Sequence, residues 1–116
     1  MSHYYLSTSS NTYSTDETII GTWIDGKPLY RLVVQANITN SSCSITMSNN
    51  IKDVVKMSGI FKQSIGNTVP LPQYTSNTNY EFMYHDVSSN TLVIKTGSGF
   101  STGQAIVFVE YTKTTD

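Results

Sequence analysis

The chain has 116 residues, a length that corresponds to one globular domain. Charged residues make up only 13% of it, about half the usual share, whereas Ser (16), Thr (16) and Asn (9) are abundant. A net charge of −1 with seven Lys or Arg excludes a protein that binds nucleic acid through its phosphates, and 11% of aromatic residues argues against disorder.

The first 16 residues are polar and show neither helical nor strand periodicity. We therefore expect a flexible or partner-contacting segment over residues 1–16 and a single domain over residues 17–116. The longest apolar run, residues 105–109, is far shorter than the roughly 20 residues that cross a bilayer, and the N-terminus does not resemble a signal peptide. We expect no membrane insertion. We interpret the single cysteine, Cys43, as a buried structural thiol.

Two β-rich runs, residues 18–24 and 27–38, flank the dipeptide Asp25-Gly26. This pattern predicts a β-hairpin with a type I′ turn, in which both central residues have positive φ. Because side chains alternate along a strand, one set in the second run is predicted to face the core. This set is Tyr30, Leu32, Val34, Ala36 and Ile38.

The middle of the chain predicts shorter elements. A short strand is expected over residues 44–47, and residues 51–63 predict a short helical turn that leads into a strand. Residues 64–79 contain Gly66, Pro70 and Pro72 and are predicted to form a long loop, of the kind that is often functional. Residues 80–87 and 91–96 predict a second hairpin.

The last predicted strand, residues 104–112, is apolar on both faces. Ala105, Val107 and Val109 point one way, and Ile106 and Phe108 point the other. Either the strand lies deep in a two-sheet sandwich, or Ile106 and Phe108 pack against another subunit, which the low surface charge favours. The sequence therefore predicts an all-β fold, a small antiparallel β-sandwich of jelly-roll type, intertwined or packed as a homotrimer.

The patterns that resemble catalytic or metal sites lack the context that such chemistry needs. Residues 99–103 match G-x-S-x-G, but a strand follows Ser101 and no His lies downstream of His85. His3, His85 and Cys43 do not have the spacing of a zinc site. Glu81 and Asp86 stand at odd spacing in a strand, so they face opposite sides. We expect a protein without enzymatic activity, cofactor or metal.

Aromatic residues remain as candidates for a binding site. Tyr74, Tyr80 and Tyr84, together with Asn77 and Asn79, lie in or beside the predicted long loop. Tyrosine offers an apolar face and a polar tip, so exposed tyrosines beside amides predict glycan binding. The alternative is that Tyr80 and Tyr84 form, with Phe82, one inward-facing stripe of a strand, and the strand pattern favours this alternative. Trp23 is interpreted as a core residue.

One long segment resembles a known protein group. Residues 13–31 contain Y-S-T-D-E, I-I-G-T-W and I-D-G-K-P-L-Y-R in succession. This sequence is similar to a motif that recurs in bacteriophage and prophage tail-fibre and virion appendage proteins. Residues 108–116 are similar to their common C-terminal ending, and residues 51–61 followed by Pro70-Leu71-Pro72 occupy the matching middle. The resemblance implies a virion location and a small β-structure of the kind that usually forms trimers.

The resemblance and the composition together lead to an expectation about function. We expect a phage virion structural protein, the tip domain of a tail fibre or appendage, made in the host cytoplasm. Its expected partners are its own copies in a homotrimer, other virion proteins and a host cell-surface polysaccharide. The alternative is a capsid decoration, head-fibre or baseplate protein that serves assembly without receptor binding.

Overall fold

The computed structural model describes residues 13–47 and 50–116, and this part of the chain contains nine β-strands and no α-helix. The strands are β1 (Thr18–Thr22), β2 (Pro28–Ile38), β3 (Ser42–Thr46), β4 (Ile51–Gln63), β5 (Thr68–Leu71), β6 (Gln73–Tyr74), β7 (Tyr80–Asp86), β8 (Thr91–Thr96) and β9 (Gly103–Lys113). A single turn of 3-10 helix, Ser98–Phe100, precedes β9. The predicted all-β class is confirmed. Residues 1–12 of the predicted N-terminal segment lie outside the described residues.

The strands form two antiparallel sheets. The five-stranded sheet has the order β1-β2-β9-β4-β5, and the four-stranded sheet has the order β3-β8-β7-β6. The chain divides into two compact units, the first with residues 13–33, 50–57 and 108–116, and the second with residues 34–47 and 58–107. The long strands β2, β4 and β9 contribute residues to both units, and the four-stranded sheet belongs to the second.

The first predicted hairpin is confirmed, because β1 and β2 pair antiparallel. Its turn differs from the prediction. The Gly26 amide donates to the Trp23 carbonyl (2.9 Å) and the Trp23 amide donates to the Lys27 carbonyl (2.8 Å). Only Gly26, at φ +84, has positive φ in this turn. The connection is therefore a three-residue loop that ends in a left-handed glycine, and Asp25 caps it by accepting a hydrogen bond from the Lys27 amide (3.0 Å).

The predicted core face of β2 is largely confirmed. Tyr30, Val34, Ala36 and Ile38 are buried, and Leu32 is half-buried. Val33, on the opposite face, is also buried, and its amide donates to the Ser14 carbonyl (3.0 Å). The polar segment before β1 therefore runs alongside β2, which the alternation of side chains in β2 could not indicate.

Two predictions for the middle of the chain are wrong. Residues 51–63 form one continuous strand, β4, without a helical turn, since its neighbours β9 and β5 provide hydrogen bonds along a β-branched sequence. The predicted loop at 64–79 contains β5 and β6. Pro70 is compatible with β5 because that strand lies at the edge of its sheet, where one missing donor is tolerated.

The second hairpin and the last strand are confirmed as β7, β8 and β9. In the second unit, β4 and β9 approach closely at Gly59, where an added Cβ would lie 2.5 Å from the Ile106 carbonyl oxygen. The ring of Phe61, which is fully buried, lies 5.8 Å from the ring of Phe100. Residues 99–102 comprise the end of the 3-10 turn and a short loop, and Gly103 begins β9.

In the first unit, residues of the two segments that carry the family resemblance contact each other. Glu17 accepts hydrogen bonds from the Tyr111 hydroxyl and from Lys113 Nζ, the latter at 2.7 Å. The Tyr30 hydroxyl donates to Asp116 Oδ2 at 2.6 Å, and its ring stacks on that of Tyr111 with centroids 5.8 Å apart. These contacts join the N-terminal motif to the C-terminal ending, so both motifs have a structural role.

These contacts also change the acidity of the phenols. The hydrogen bond to Asp116, with burial, raises the pKa of Tyr30 to about 12. Burial, together with the hydrogen bond to Glu17, raises the pKa of Tyr111. Arg31 pairs with Glu110 (3.3 Å) in the same unit.

Candidate functional site

The four-stranded sheet has two chemically different faces. Side chains alternate along β7, so Glu81, Met83 and His85 point to the buried side, where their cross-strand partners include Leu92 and Ile94. The even-numbered residues of β7 point to the opposite side, which we call the outer face. This outer face carries the predicted aromatic residues.

The outer face presents a row of four aromatic rings, Tyr74, Tyr80, Phe82 and Tyr84, which we call the aromatic row. Successive ring centroids are 6.3, 6.3 and 6.4 Å apart, and neighbouring ring planes differ by 30°, 18° and 14°. Tyr74 is 68% exposed, and Phe82 and Tyr84 are each 42% exposed. The favoured interpretation of Tyr80, Phe82 and Tyr84 as an inward stripe is therefore wrong. The register of β7 places Glu81 and Met83 inward instead.

Hydroxyl groups and one cation lie beside the aromatic row on the same face. Lys95 of β8 is the cross-strand partner of Phe82 and of Ser42 on β3. Ser42, Ser44 and Thr46 are exposed and follow one another on the outer side of β3. An apolar strip bordered by hydroxyls and an ammonium group can hold a ligand that has both apolar faces and hydrogen-bonding groups.

The loop between β6 and β7 holds the two predicted amides in different ways. Asn77 Oδ1 accepts a hydrogen bond from the Tyr74 hydroxyl (2.8 Å), so these two candidate residues contact each other. The Asn79 carbonyl accepts from the amide and the hydroxyl of Thr75, at 2.9 and 2.8 Å, which closes the loop. The Asn79 side chain lies against Gly99, where an added Cβ would be 1.8 Å from Asn79 Oδ1. Asn79 therefore shapes the loop, whereas Asn77 contacts the aromatic row at Tyr74.

A cavity of about 340 Å³ opens at the β6 end of the aromatic row. Its lining residues are Pro72, Gln73, Tyr74, Tyr80, Glu81 and Phe82. The volume lies in the range of pockets that hold small ligands. Burial raises the pKa of the Glu81 carboxyl to about 7.

The two residues predicted for an oligomer interface are half-buried. In the first unit, Phe108 contacts the ring of Tyr13 edge to face, with centroids 5.5 Å apart. The Arg31 guanidinium lies over the same Tyr13 ring at 4.4 Å. Part of Phe108 is thus covered by its own chain. Ile106, in the second unit, is half-buried as well.

Other candidates take structural positions. Asp86 accepts hydrogen bonds from the Ser88 hydroxyl (2.7 Å) and amide (3.1 Å), and the hydroxyl contact lowers the pKa of Asp86. His85 Nε2 bonds Asn90 Oδ1 at 2.8 Å. Cys43 is half-buried rather than buried as interpreted from the sequence, and this partial burial raises the pKa of its thiol. Within residues 13–47 and 50–116, no three His, Cys, Asp or Glu side chains cluster, and no helix is long and apolar enough to span a membrane.

Sequence reasoning missed two residues beside the aromatic row. Gln73 falls in a segment predicted as loop, and Glu81 was considered only as half of a catalytic pair. The sequence did contain one indication of this arrangement. Glu81 lies between Tyr80 and Phe82 in a predicted strand, so alternation must place either the carboxylate or the two rings on the buried side. Phe82 was recognised as part of the cluster but not as a contact residue.

Comparison with known proteins gave no match to a protein-family model, to a curated protein or to a solved structure. The family resemblance therefore rests on the sequence motifs.

Proposed function

We propose that this protein is a non-catalytic attachment module of a bacteriophage virion, and that its aromatic row binds a host-surface glycan. The observation that carries the proposal is the exposure of Tyr74, Phe82 and Tyr84 in one continuous row. Exposed aromatic side chains cost solvation free energy unless a partner covers them, so a contiguous row indicates a binding surface.

The composition of the outer face favours a saccharide over an apolar partner. A sugar ring has C–H faces that pack on an aromatic ring and hydroxyls that need hydrogen-bond partners. The phenols of Tyr74, Tyr80 and Tyr84 and the hydroxyls of β3 supply such partners. Lys95, exposed beside Phe82, adds a positive charge that favours an anionic polysaccharide.

The virion location is supported by the motif at residues 13–31 and the ending at 108–116. In the proposed particle the domain is a jelly-roll-like β-sandwich that forms the tip of a tail fibre or appendage as a homotrimer. The half-buried side chains of Ile106 and Phe108 are the proposed trimer contact. Light scattering tests this contact, because a trimer has three times the 12.9 kDa chain mass.

A binding experiment tests the glycan proposal. The purified chain is applied to an array of bacterial teichoic acids, capsular polysaccharides and O-antigens, beside the variants Tyr74→Ala, Phe82→Ala and Tyr84→Ala. We expect binding to at least one polysaccharide, with a loss of tenfold or more in each variant. Ile65→Ala is the matched control, since Ile65 is exposed and lies outside the row.

A specific observation keeps the assembly function as the second candidate. The aromatic row is also suited to protein contact, because aromatic residues are enriched in interfaces. If no polysaccharide binds and Tyr84→Ala dissociates an oligomer, the row serves assembly, as in a decoration, head-fibre or baseplate protein.

A further inference from the structure

Three polar side chains stand in one cross-strand line on the buried side of the four-stranded sheet. Gln73 of β6 pairs with Glu81 of β7, and Glu81 pairs with Thr96 of β8. Directly paired residues of an antiparallel sheet point to the same side. Glu81 is 1% exposed and Thr96 is 4% exposed. We call these three residues the polar rung.

The oxygen atoms of the polar rung are enclosed and unsatisfied. Gln73 Oε1, both carboxyl oxygens of Glu81 and Thr96 Oγ1 are buried, and none has a hydrogen-bond partner in the described part of the chain. An isolated buried carboxylate is very costly, and unpaired neutral oxygens add to that cost. The next position of β8, Lys95, points to the outer face, so its ammonium group does not face Glu81.

The enclosure limits what can satisfy these oxygens. A saccharide in the adjoining cavity cannot reach atoms that are buried to this degree, so the occupant is as small as a water molecule, an ion or a proton. A water molecule can hydrogen-bond to these oxygens but leaves the charge of the carboxylate uncompensated. A proton on Glu81 neutralises the charge but adds only one donor, and the Thr96 hydroxyl, which can also donate, has no partner among the described residues. A cation can neutralise the carboxylate and be ligated by all four oxygens. Hard cations select oxygen ligands of this kind, carboxylate, amide carbonyl and hydroxyl.

The charge of the polar rung selects the valence of the cation. One carboxylate and two neutral groups carry a single negative charge, which a monovalent ion neutralises. A divalent ion would leave a net positive charge among buried side chains, which is unfavourable. The rung offers no imidazole nitrogen and no thiolate sulfur, which are the ligands that zinc and copper favour.

We infer that Gln73, Glu81 and Thr96 bind a monovalent alkali cation of the size of Na⁺, which links β6, β7 and β8. Cβ atoms of directly paired residues lie about 4.5–5.5 Å apart, so side chains of these lengths can converge on one point. Calcium, whose radius is close to that of sodium, is bound by oxygens at about 2.3–2.6 Å. The bound ion also fixes the two-residue strand β6, which carries Tyr74 at one end of the aromatic row.

The probe for this inference is sodium itself. Urea unfolding is followed at about pH 8, where the carboxyl is ionised, in NaCl and in tetramethylammonium chloride of equal ionic strength. We expect NaCl to stabilise the protein. Above the dissociation constant, each tenfold increase in free Na⁺ should multiply the folding equilibrium constant about tenfold, as for one ion bound to the folded state. Sodium-23 NMR should show line broadening by the protein.

Two variants and one control make the test specific. Glu81→Gln should abolish the sodium dependence and the line broadening, and Thr96→Val should weaken both. Asp53→Asn removes the same charge from an exposed position and should retain them. Equal stability in the two salts overturns the inference, as does a sodium effect that persists in Glu81→Gln. Stabilisation by acid without any sodium effect also overturns it, since the polar rung then holds a proton instead.

Discussion

Each unit of this protein removes a carboxylate from solvent, partly at Glu17 and almost completely at Glu81, but the two carboxylates have different surroundings. In the first unit, Glu17 accepts hydrogen bonds from Tyr111 and Lys113, which belong to a distant part of the sequence. In the second unit, the carboxyl oxygens of Glu81 have no hydrogen-bond partner among the residues that the structure describes. A carboxylate with its own cation and phenol stabilises the fold. A carboxylate without such partners destabilises the fold unless it binds something, so the same residue type indicates stability in one place and binding in the other.

The largest expected effect is the pH dependence caused by Glu81. Its pKa of about 7 in the folded protein lies above the ordinary 4.5, so the folded state binds more protons between these values. Stability should therefore fall as pH rises from about 4.5 through 7 and then level off, with a total loss of up to about 3 kcal/mol. Urea unfolding in tetramethylammonium buffers measures this loss without competition from sodium.

Glu81→Gln is the decisive variant for that pH dependence. The neutral amide should remove the loss and make the protein more stable than the parent at about pH 8, because no charge is then buried. A parent protein whose stability is flat over this range would show that Glu81 is already paired.

The corresponding substitution in the first unit should change the free energy of unfolding in the opposite direction. Glu17→Gln leaves Lys113 without its charged partner in a half-buried position, and we expect a loss of about 2 kcal/mol at neutral pH. The unfolding midpoint measures it, with Asp53→Asn as the exposed control. If Glu17→Gln and Glu81→Gln shift the midpoint in the same direction, the contrast between the units is wrong.

A smaller effect is expected at Tyr30. Tyr30→Phe removes the hydrogen bond to Asp116 and should cost about 1 kcal/mol. The raised pKa of about 12 means that the folded state keeps this phenolic proton above pH 10, so stability should fall between pH 10 and 12. Tyrosinate absorbance should show the delayed ionisation in the parent. A variant with an unchanged titration curve would refute the assignment to Tyr30.

The smallest effect on stability is expected in the aromatic row. Tyr74→Ala should change the free energy of unfolding by less than about 0.5 kcal/mol, since the side chain is 68% exposed. Its effect on the free energy of polysaccharide binding should be far larger than this change in the free energy of unfolding. A strong destabilisation by Tyr74→Ala, without loss of binding, would identify the row as a structural contact.

The strand pattern predicted those parts of the fold in which local signals agree. The alternating β2 sequence, the run before Asp25-Gly26 and the apolar β9 sequence all correspond to strands in the structure. Residues 51–63 were ambiguous because Ile51, Val54 and Val55 suit either period, and pairing with β9 and β5 selects the strand. Strand β5 was not predicted because it contains Pro70. A proline lacks a backbone hydrogen-bond donor and is tolerated in an edge strand, but the sequence of one strand does not show whether it lies at an edge.

The candidate site was harder to predict because it depends on which face of β7 is exposed to solvent. The tyrosines and Asn77 were recognised, but alternation alone cannot decide which side of β7 faces water. A stripe of Tyr80, Phe82 and Tyr84 looks more apolar than Glu81, Met83 and His85, so hydrophobicity favoured the wrong side. The polar rung depends on pairing between β6, β7 and β8, and Gln73 lies in a segment where no strand was expected.

The contact at Gly59 also has a genetic consequence. Every amino acid that one nucleotide change can substitute for glycine adds a Cβ, and here that atom would lie 2.5 Å from the Ile106 carbonyl oxygen. Codon 59 thus has no tolerated missense neighbour, and a saturation library selected for folded protein should be depleted there. Gly21 should also be depleted in the same library but for a different reason, because it has room for a Cβ and its φ of +158 is one that other residues rarely adopt.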